Sequence, residues 1–227
     1  MHEALSLFRR PSIVAIMAAF ALSAGAYWIL FTFLPLFVYG HYHQSLESAA
    51  FQATFYMQAS AMLADPILGH LSDKWAIRNP KNRFRFCALA GLIGLPTLIA
   101  VGFGNHTFIL ITGLLLFGLA AAGTDVSWMP MLTYVTSKYE RATAFGYLNM
   151  ASCLFGGLTA MIAALTMKTY GLGIMVAGGG MLFFLLALVL IVAARVFLQR
   201  DFVPEISDGF SCGKRADASP EPAASQV

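Results

Sequence analysis

Six long apolar runs, nearly free of charge, follow one another between residues 12 and 197. A bilayer core of about 30 Å needs about 20 helical residues to cross it. Backbone amides in hydrocarbon must bond within their own segment or close into a barrel. The runs therefore predict helices over 12–38, 47–72, 84–103, 107–134, 141–167 and 172–197. The second is the least hydrophobic, and Pro35 gives the first a place to bend. With 59% hydrophobic and 11% charged residues, and a mean hydropathy of +0.72, a soluble fold would lack the polar residues to coat its surface. The fold class expected is an all-α membrane protein of six transmembrane helices over residues 1–200. Residues 201–227, rich in Pro, Ser, Glu and Ala, are expected to form a disordered cytoplasmic tail.

Several function classes fall away at once. Arg9 and Arg10 precede an apolar run reaching Val38, about twice the length of a signal-peptide core and without a small-residue cleavage pattern, so it is read as a membrane span. The net charge of +3 is small and its basic residues lack aromatic interleaving, so no nucleic-acid partner is expected. Cys87, Cys153 and Cys212 are far apart and show no metal-ligand spacing, which implies free thiols, no metal site and no cofactor. No nucleophile elbow or phosphate loop is present. Two intramembrane acids could form an aspartyl dyad, but Gly123-Thr124-Asp125 lacks the glycine such proteases place beside the second acid. No enzyme activity is expected.

Basic loops stay cytoplasmic. With six spans, Arg9, Arg10, Lys74, Arg78, Lys81, Arg83, Arg85, Lys138, Arg141, Arg195, Arg200, Lys214 and Arg215 share one side, and only Lys168 lies on the other. The expected topology is multi-pass in the cell (inner) membrane with both termini cytoplasmic.

A charge at mid-bilayer costs at least about 2.5 kcal/mol on insertion scales, so Asp65 and Asp125 need explanations. On the second run Thr54, Gln58, Ala61, Asp65 and Gly69 recur at spacings of three and four and share one face, which is expected to avoid lipid. On the fifth, Ala142, Gly146, Asn149, Cys153, Gly156 and Ala160 form a small and polar seam that permits close helix approach. The two seams are expected to face each other or a cavity.

The stretch Gly69-His-Leu-Ser-Asp73-Lys74, followed by Arg78, Arg83 and Arg85, resembles the loop signature of the major facilitator superfamily, G-x-L-a-D-r-x-G-r-k, with Arg78-Asn79-Pro80 interrupting the usual Gly-Arg step. Phe8-Arg9-Arg10-Pro11 with Leu34-Pro35-Leu36, and Arg141-Ala-Thr143 with Gly146 and Asn149, are similar to other helix starts of that family. The resemblance covers about residues 8–200 and implies one half of a twelve-helix bundle. First halves of such carriers usually have an Arg near the middle of the fourth helix, and with none within 107–134 the resemblance implies the C-terminal half. It also implies a cytoplasmic gate formed by Gly69, Asp73, Lys74, Arg78, Arg83, Arg85 and Arg141. Asp73 is expected beside the helix starting at Arg141, whose N-terminal dipole favours an anion.

The resemblance implies transport of a small polar solute, an organic anion or sugar, by a proton- or cation-coupled secondary carrier such as a symporter. The expected partners are the lipid bilayer, the small-molecule substrate, and either a second six-helix half or a second copy. The alternatives are a truncated or non-transporting membrane interaction protein, and a cation-coupled sugar symporter of the glycoside-pentoside type, which the order Asp65-Pro-x-x-Gly69-x-x-x-Asp73 also resembles. The candidate substrate or coupling-ion residues are Asp125, Asp65, Gln58, Asn149, Trp128, Tyr27 and Thr32. Asp65 is read equally as a cavity acid or a helix-packing acid. Tyr27, Trp28, Phe31 and Thr32 line a substrate path or serve as packing and interface anchors. Gln58 and Asn149 bind substrate or bond across helices.

Overall fold

The computed structural model describes residues 10–196, and among these it holds six α-helices and no strand. The helices are α1 (Pro11–Tyr42), α2 (Leu46–Arg78), α3 (Lys81–Phe103), α4 (Thr107–Val135), α5 (Arg141–Tyr170) and α6 (Leu172–Val196). The expected tail over 201–227, with Cys212 and the cations Arg9, Arg200, Lys214 and Arg215, lies outside the described residues. Five helices are long and apolar enough to cross a membrane; the exception is α2. Its 33 residues still extend about 50 Å at ~1.5 Å per residue, enough to cross alongside the others.

Local chemistry sets the ends. Pro11 opens α1, where its missing N–H removes no intrahelical bond. Ser45 caps α2 by accepting from the Ser48 N–H at 3.3 Å, with Glu47 in the first turn. Asn79, pushed to extended backbone by the proline after it, ends α2, and its side-chain oxygen accepts from the Lys81 N–H at 2.9 Å to begin α3. Gly171, at φ +81°, ends α5 in a backbone conformation that glycine adopts without strain and donates its N–H to the Met167 carbonyl.

This corrects the expected loop. The stretch from Asp65 to Arg85 is helix except at Asn79 and Pro80, because α2 continues past Ser72 to Arg78. Asp73, Lys74 and Arg78 therefore stand on the last turns of α2, and Arg83 and Arg85 on the first turn and a half of α3.

The packing repeats with an offset of three helices. α1 lies against α5 and α6, as α4 lies against α2 and α3, while α3 and α6 pair with each other. Because successive helices run in opposite directions, the second triplet is inverted relative to the first, the arrangement of nested repeats in membrane carriers. Two apolar clusters fill the bundle. One joins Ile13, Phe84, Met131 and Leu190, and the other Leu34, Met57, Phe117 and Phe183. Hydrocarbon offers apolar side chains no repulsion, so such a bundle coheres by close packing. α3 and α6 meet where Gly102 and Gly173 bring backbone against backbone, and Gly118 of α4 lies on the Met57 carbonyl of α2. At one end, the Tyr42 hydroxyl donates to the Gly104 carbonyl at 2.8 Å, closing α1 onto the turn between α3 and α4.

Helices α2 and α5 occupy the flanks. The buried stripe of α2 is Ala49, Ala53, Met57, Ser60, Ala64, Ser72 and Ala76, small residues lying against α4, with the Ser60 hydroxyl donating to the Leu115 carbonyl at 2.7 Å. Thr54, Gln58 and Asp65 lie on the neighbouring, exposed face. The two polar seams do not meet, since α2 and α5 share no extended contact. The α5 seam turns Gly156 onto the Trp28 ring of α1 and leaves Gly146, Asn149 and Cys153 uncovered by this chain.

Candidate functional site

The inverted triplets place the middle of α1 beside the middle of α4. There the Tyr27 hydroxyl donates to Asp125 Oδ2 at 2.9 Å. The pair lines a cavity of about 460 Å³ whose wall is formed by Phe20, Tyr27, Trp28, Phe31, Thr32 and Asp125, with the small Ser23 and Ala24 making room. Tyr27 is fixed by edge contacts to Phe117 and Phe183 and stacks with Phe31, so its hydroxyl is aimed by packing on three sides. The cavity is thus an aromatic box with one acid and the hydroxyls of Tyr27, Ser23 and Thr32, a lining suited to a solute with a polar group on an apolar body.

The other candidates distribute as follows. Thr32 lies on the cavity wall. Trp128 does not: it is buried edge-on against Phe20, behind the wall, with its indole N–H near the Asp125 carboxylate. Asp65 stands on the exposed side of α2 within electrostatic reach of both Tyr27 and Asp125, and near it Gly69 faces Val126 of α4. Gln58 belongs to a separate shallow depression on α2 with Phe51, Phe55 and Met62. Asn149, exposed on α5 and away from the cavity, donates one amide N–H to the Phe145 carbonyl of its own helix at 3.1 Å. Trp28 and Phe31, the aromatic neighbours of Tyr27, contribute more of the cavity wall than any of the amides. Phe31 follows Tyr27 by four residues and Trp28 by three, the spacings that place side chains on one helix face.

The gate residues form a different set of contacts from the one expected. Asp73 is paired with Arg83 of α3, and Arg141 is not its partner. Arg83 is 4% exposed, its guanidinium over the Tyr134 ring at 5.9 Å from the centroid, so the pair and the ring join α2, α3 and α4 at one end of the bundle. The short Asn79-Pro80 turn brings the first turn of α3 back beside the last turns of α2, closer than α5 can come. Arg141 is partly buried, and its Nε makes no hydrogen bond. Lys74, Arg78 and Arg85 are exposed. A double-mutant cycle on thermal unfolding in detergent is expected to give a coupling of about 0.5–3 kcal/mol between Asp73→Asn and Arg83→Gln, and additivity within about 0.5 kcal/mol between Asp73→Asn and Arg141→Gln. The reverse order would restore the α5 pairing.

A second ion pair binds the same end. Arg10 Nη1 meets Glu140 at 3.2 Å and donates to the Val135 carbonyl at 3.0 Å, tying the start of α1 to the α4–α5 connection. Partial burial pushes the Glu140 carboxyl up, but hydrogen bonds from Ser137 and the Arg10 guanidinium outweigh it and hold the group below the usual range.

A bundle of membrane-length helices in inverted triplets, with an acid and a hydroxyl facing a cavity at mid-depth, defines a multi-pass membrane protein with the inverted-repeat fold that membrane carriers use. The sequence pattern of the Major Facilitator Superfamily matches residues 2–160, and the chain belongs to that superfamily as a six-helix half-domain. Its fold is similar to a crystal structure of a bacterial homolog to the human lysosomal transporter Spinster, inward-facing and unoccupied, with a TM-score of 0.70 and 18% identity. That likeness covers 90% of this chain and 52% of the other, so the chain spans about half the length of the solved protein. No curated protein matches the sequence.

Proposed function

We propose that this chain forms the C-terminal half of a secondary carrier for a small polar solute, an organic anion or sugar, coupled to a proton or cation, with both termini cytoplasmic in a cell (inner) membrane. The observation that carries the reading is the Tyr27–Asp125 pair in an aromatic cavity open on one side. An ionisable group facing a cavity within the membrane marks a substrate or ion path far more often than a structural contact. Superfamily membership supports transport in general, and alternating access in such folds rocks two six-helix bundles about a central site. The exposed faces of α2 and α5 supply the surface that a second six-helix half or a second copy would cover. Asp65, on the same open side, is the second candidate for the coupling ion; Gln58 and Asn149 stand apart from the cavity and are assigned no direct contact with solute.

The test is uptake into proteoliposomes of a panel of labelled sugars and organic anions, under an imposed proton or sodium gradient, with this chain alone and with a six-helix N-terminal half added. Gradient-driven uptake of one solute class supports the carrier reading. The alternative, a non-transporting membrane interaction protein, gains if neither preparation moves any solute above empty vesicles.

A further inference from the structure

Between α3 and α6, at the end of the bundle where α3 begins and α6 ends, lies a second cavity of about 310 Å³. It shares no residue with the Tyr27–Asp125 cavity. Its walls include Leu89, Leu92 and Ile191, and Arg85 and Arg195 stand at its rim. Both arginines are exposed, and Leu89 is half-exposed. Among the described residues, the acids at this end are engaged elsewhere: Asp73 with Arg83 and Glu140 with Arg10. Arg85 and Arg195 make no ion pair among the described residues; Arg85 reaches only the Asn82 side-chain oxygen, at 3.5 Å.

Two exposed guanidinium groups over an apolar furrow are complementary to the two halves of one amphipathic anion. An acyl chain fills the furrow in the direction of the helices, and a phosphodiester between the arginines accepts hydrogen bonds from both. A free inorganic phosphate would satisfy the arginines and leave the furrow empty. A zwitterionic lipid would bring its own cation against them. We infer that this groove binds an anionic phospholipid, head group between Arg85 and Arg195 and acyl chain along Leu89, Leu92 and Ile191. Basic pockets between membrane helices recognise anionic head groups by this chemistry.

The test uses the full chain purified in mild detergent, mixed with equal amounts of phosphatidylglycerol and phosphatidylcholine of identical acyl chains, with retained lipid counted by native mass spectrometry. The wild type is expected to retain phosphatidylglycerol preferentially. Each of Arg85→Gln and Arg195→Gln is expected to lower that ratio about fivefold, and the double variant about 25-fold, whereas Lys138→Gln, an exposed cation outside the groove, leaves it unchanged. Arg195→Gln lies in the last turn of α6 and serves if the double variant does not fold. Millimolar inorganic phosphate is expected not to displace the lipid. No preference in the wild type, equal loss in Lys138→Gln, or full displacement by inorganic phosphate would each overturn the assignment.

Discussion

Asp125→Asn in the assembled carrier is expected to lower gradient-driven uptake by roughly 10- to 150-fold, the factor that losing a charge-assisted contact of about 1.5–3 kcal/mol carries. The substitution is nearly isosteric, and the amide oxygen still accepts from the Tyr27 hydroxyl, so insertion and the packing around Phe117 and Phe183 should be retained. What disappears is the charge. Tyr27→Phe makes the opposite change, keeping the acid and removing its hydroxyl partner; its effect should fall on solute affinity while dependence on the driving ion survives. Uptake that keeps both its rate and its pH dependence in Asp125→Asn would remove this acid from the coupling role. Asp65→Asn, on the exposed face of α2, then becomes the variant to measure.

The second large effect concerns stability. A Cβ on Gly102 would strike the Gly173 carbonyl oxygen and lie 3.3 Å from the Ala177 nitrogen. Both are backbone atoms in the facing helix, so no rotamer change relieves the contact and α3 must move away from α6. Gly102→Ala is expected to cost about 1–3 kcal/mol by overpacking. Gly157→Ala is the internal comparison: a Cβ there meets nothing within 4 Å, and alanine's helix propensity should make it neutral or stabilising by up to about 1 kcal/mol. Thermal unfolding in detergent distinguishes them. Equal stability of the two variants would mean that α3 and α6 are not held at backbone contact.

How much of this was legible in the sequence depended on the range of the interaction. Membrane-length helices follow from local composition, and all six are present in the described residues. Periodicity identified one polar face on α2, expected to avoid lipid, but not the small-residue stripe beside it that does the packing. Ala49, Ala53 and Ala64 take the packed side because the backbones come close there, and Thr54, Gln58 and Asp65 are left on the open one. Tyr27 and Asp125 were each conspicuous as polar groups in apolar runs, but that one bonds the other depends on the crossing of α1 and α4, 98 residues apart in sequence. The Asp73 partner was misplaced for a related reason. Charge sign and depth allowed Arg83 and Arg141 equally, and the two-residue turn at Asn79-Pro80 decides for Arg83. Asn149, read as a substrate contact or a bond across helices, instead donates to the Phe145 carbonyl on its own preceding turn, which sequence spacing does not reveal.

The inverted triplets have a mechanical consequence. Pro35 lies in the later part of α1 and Pro130 in the later part of α4, and each removes an amide donor from its helix. Since α1 and α4 run in opposite directions, the two compliant points fall toward opposite faces of the membrane, with the Tyr27–Asp125 contact between them. Flexing at one loosens the wall on one side of the acid while the other side stays braced. A single pair of crossed helices thus sets one weakened turn toward each membrane face, with one charge between them.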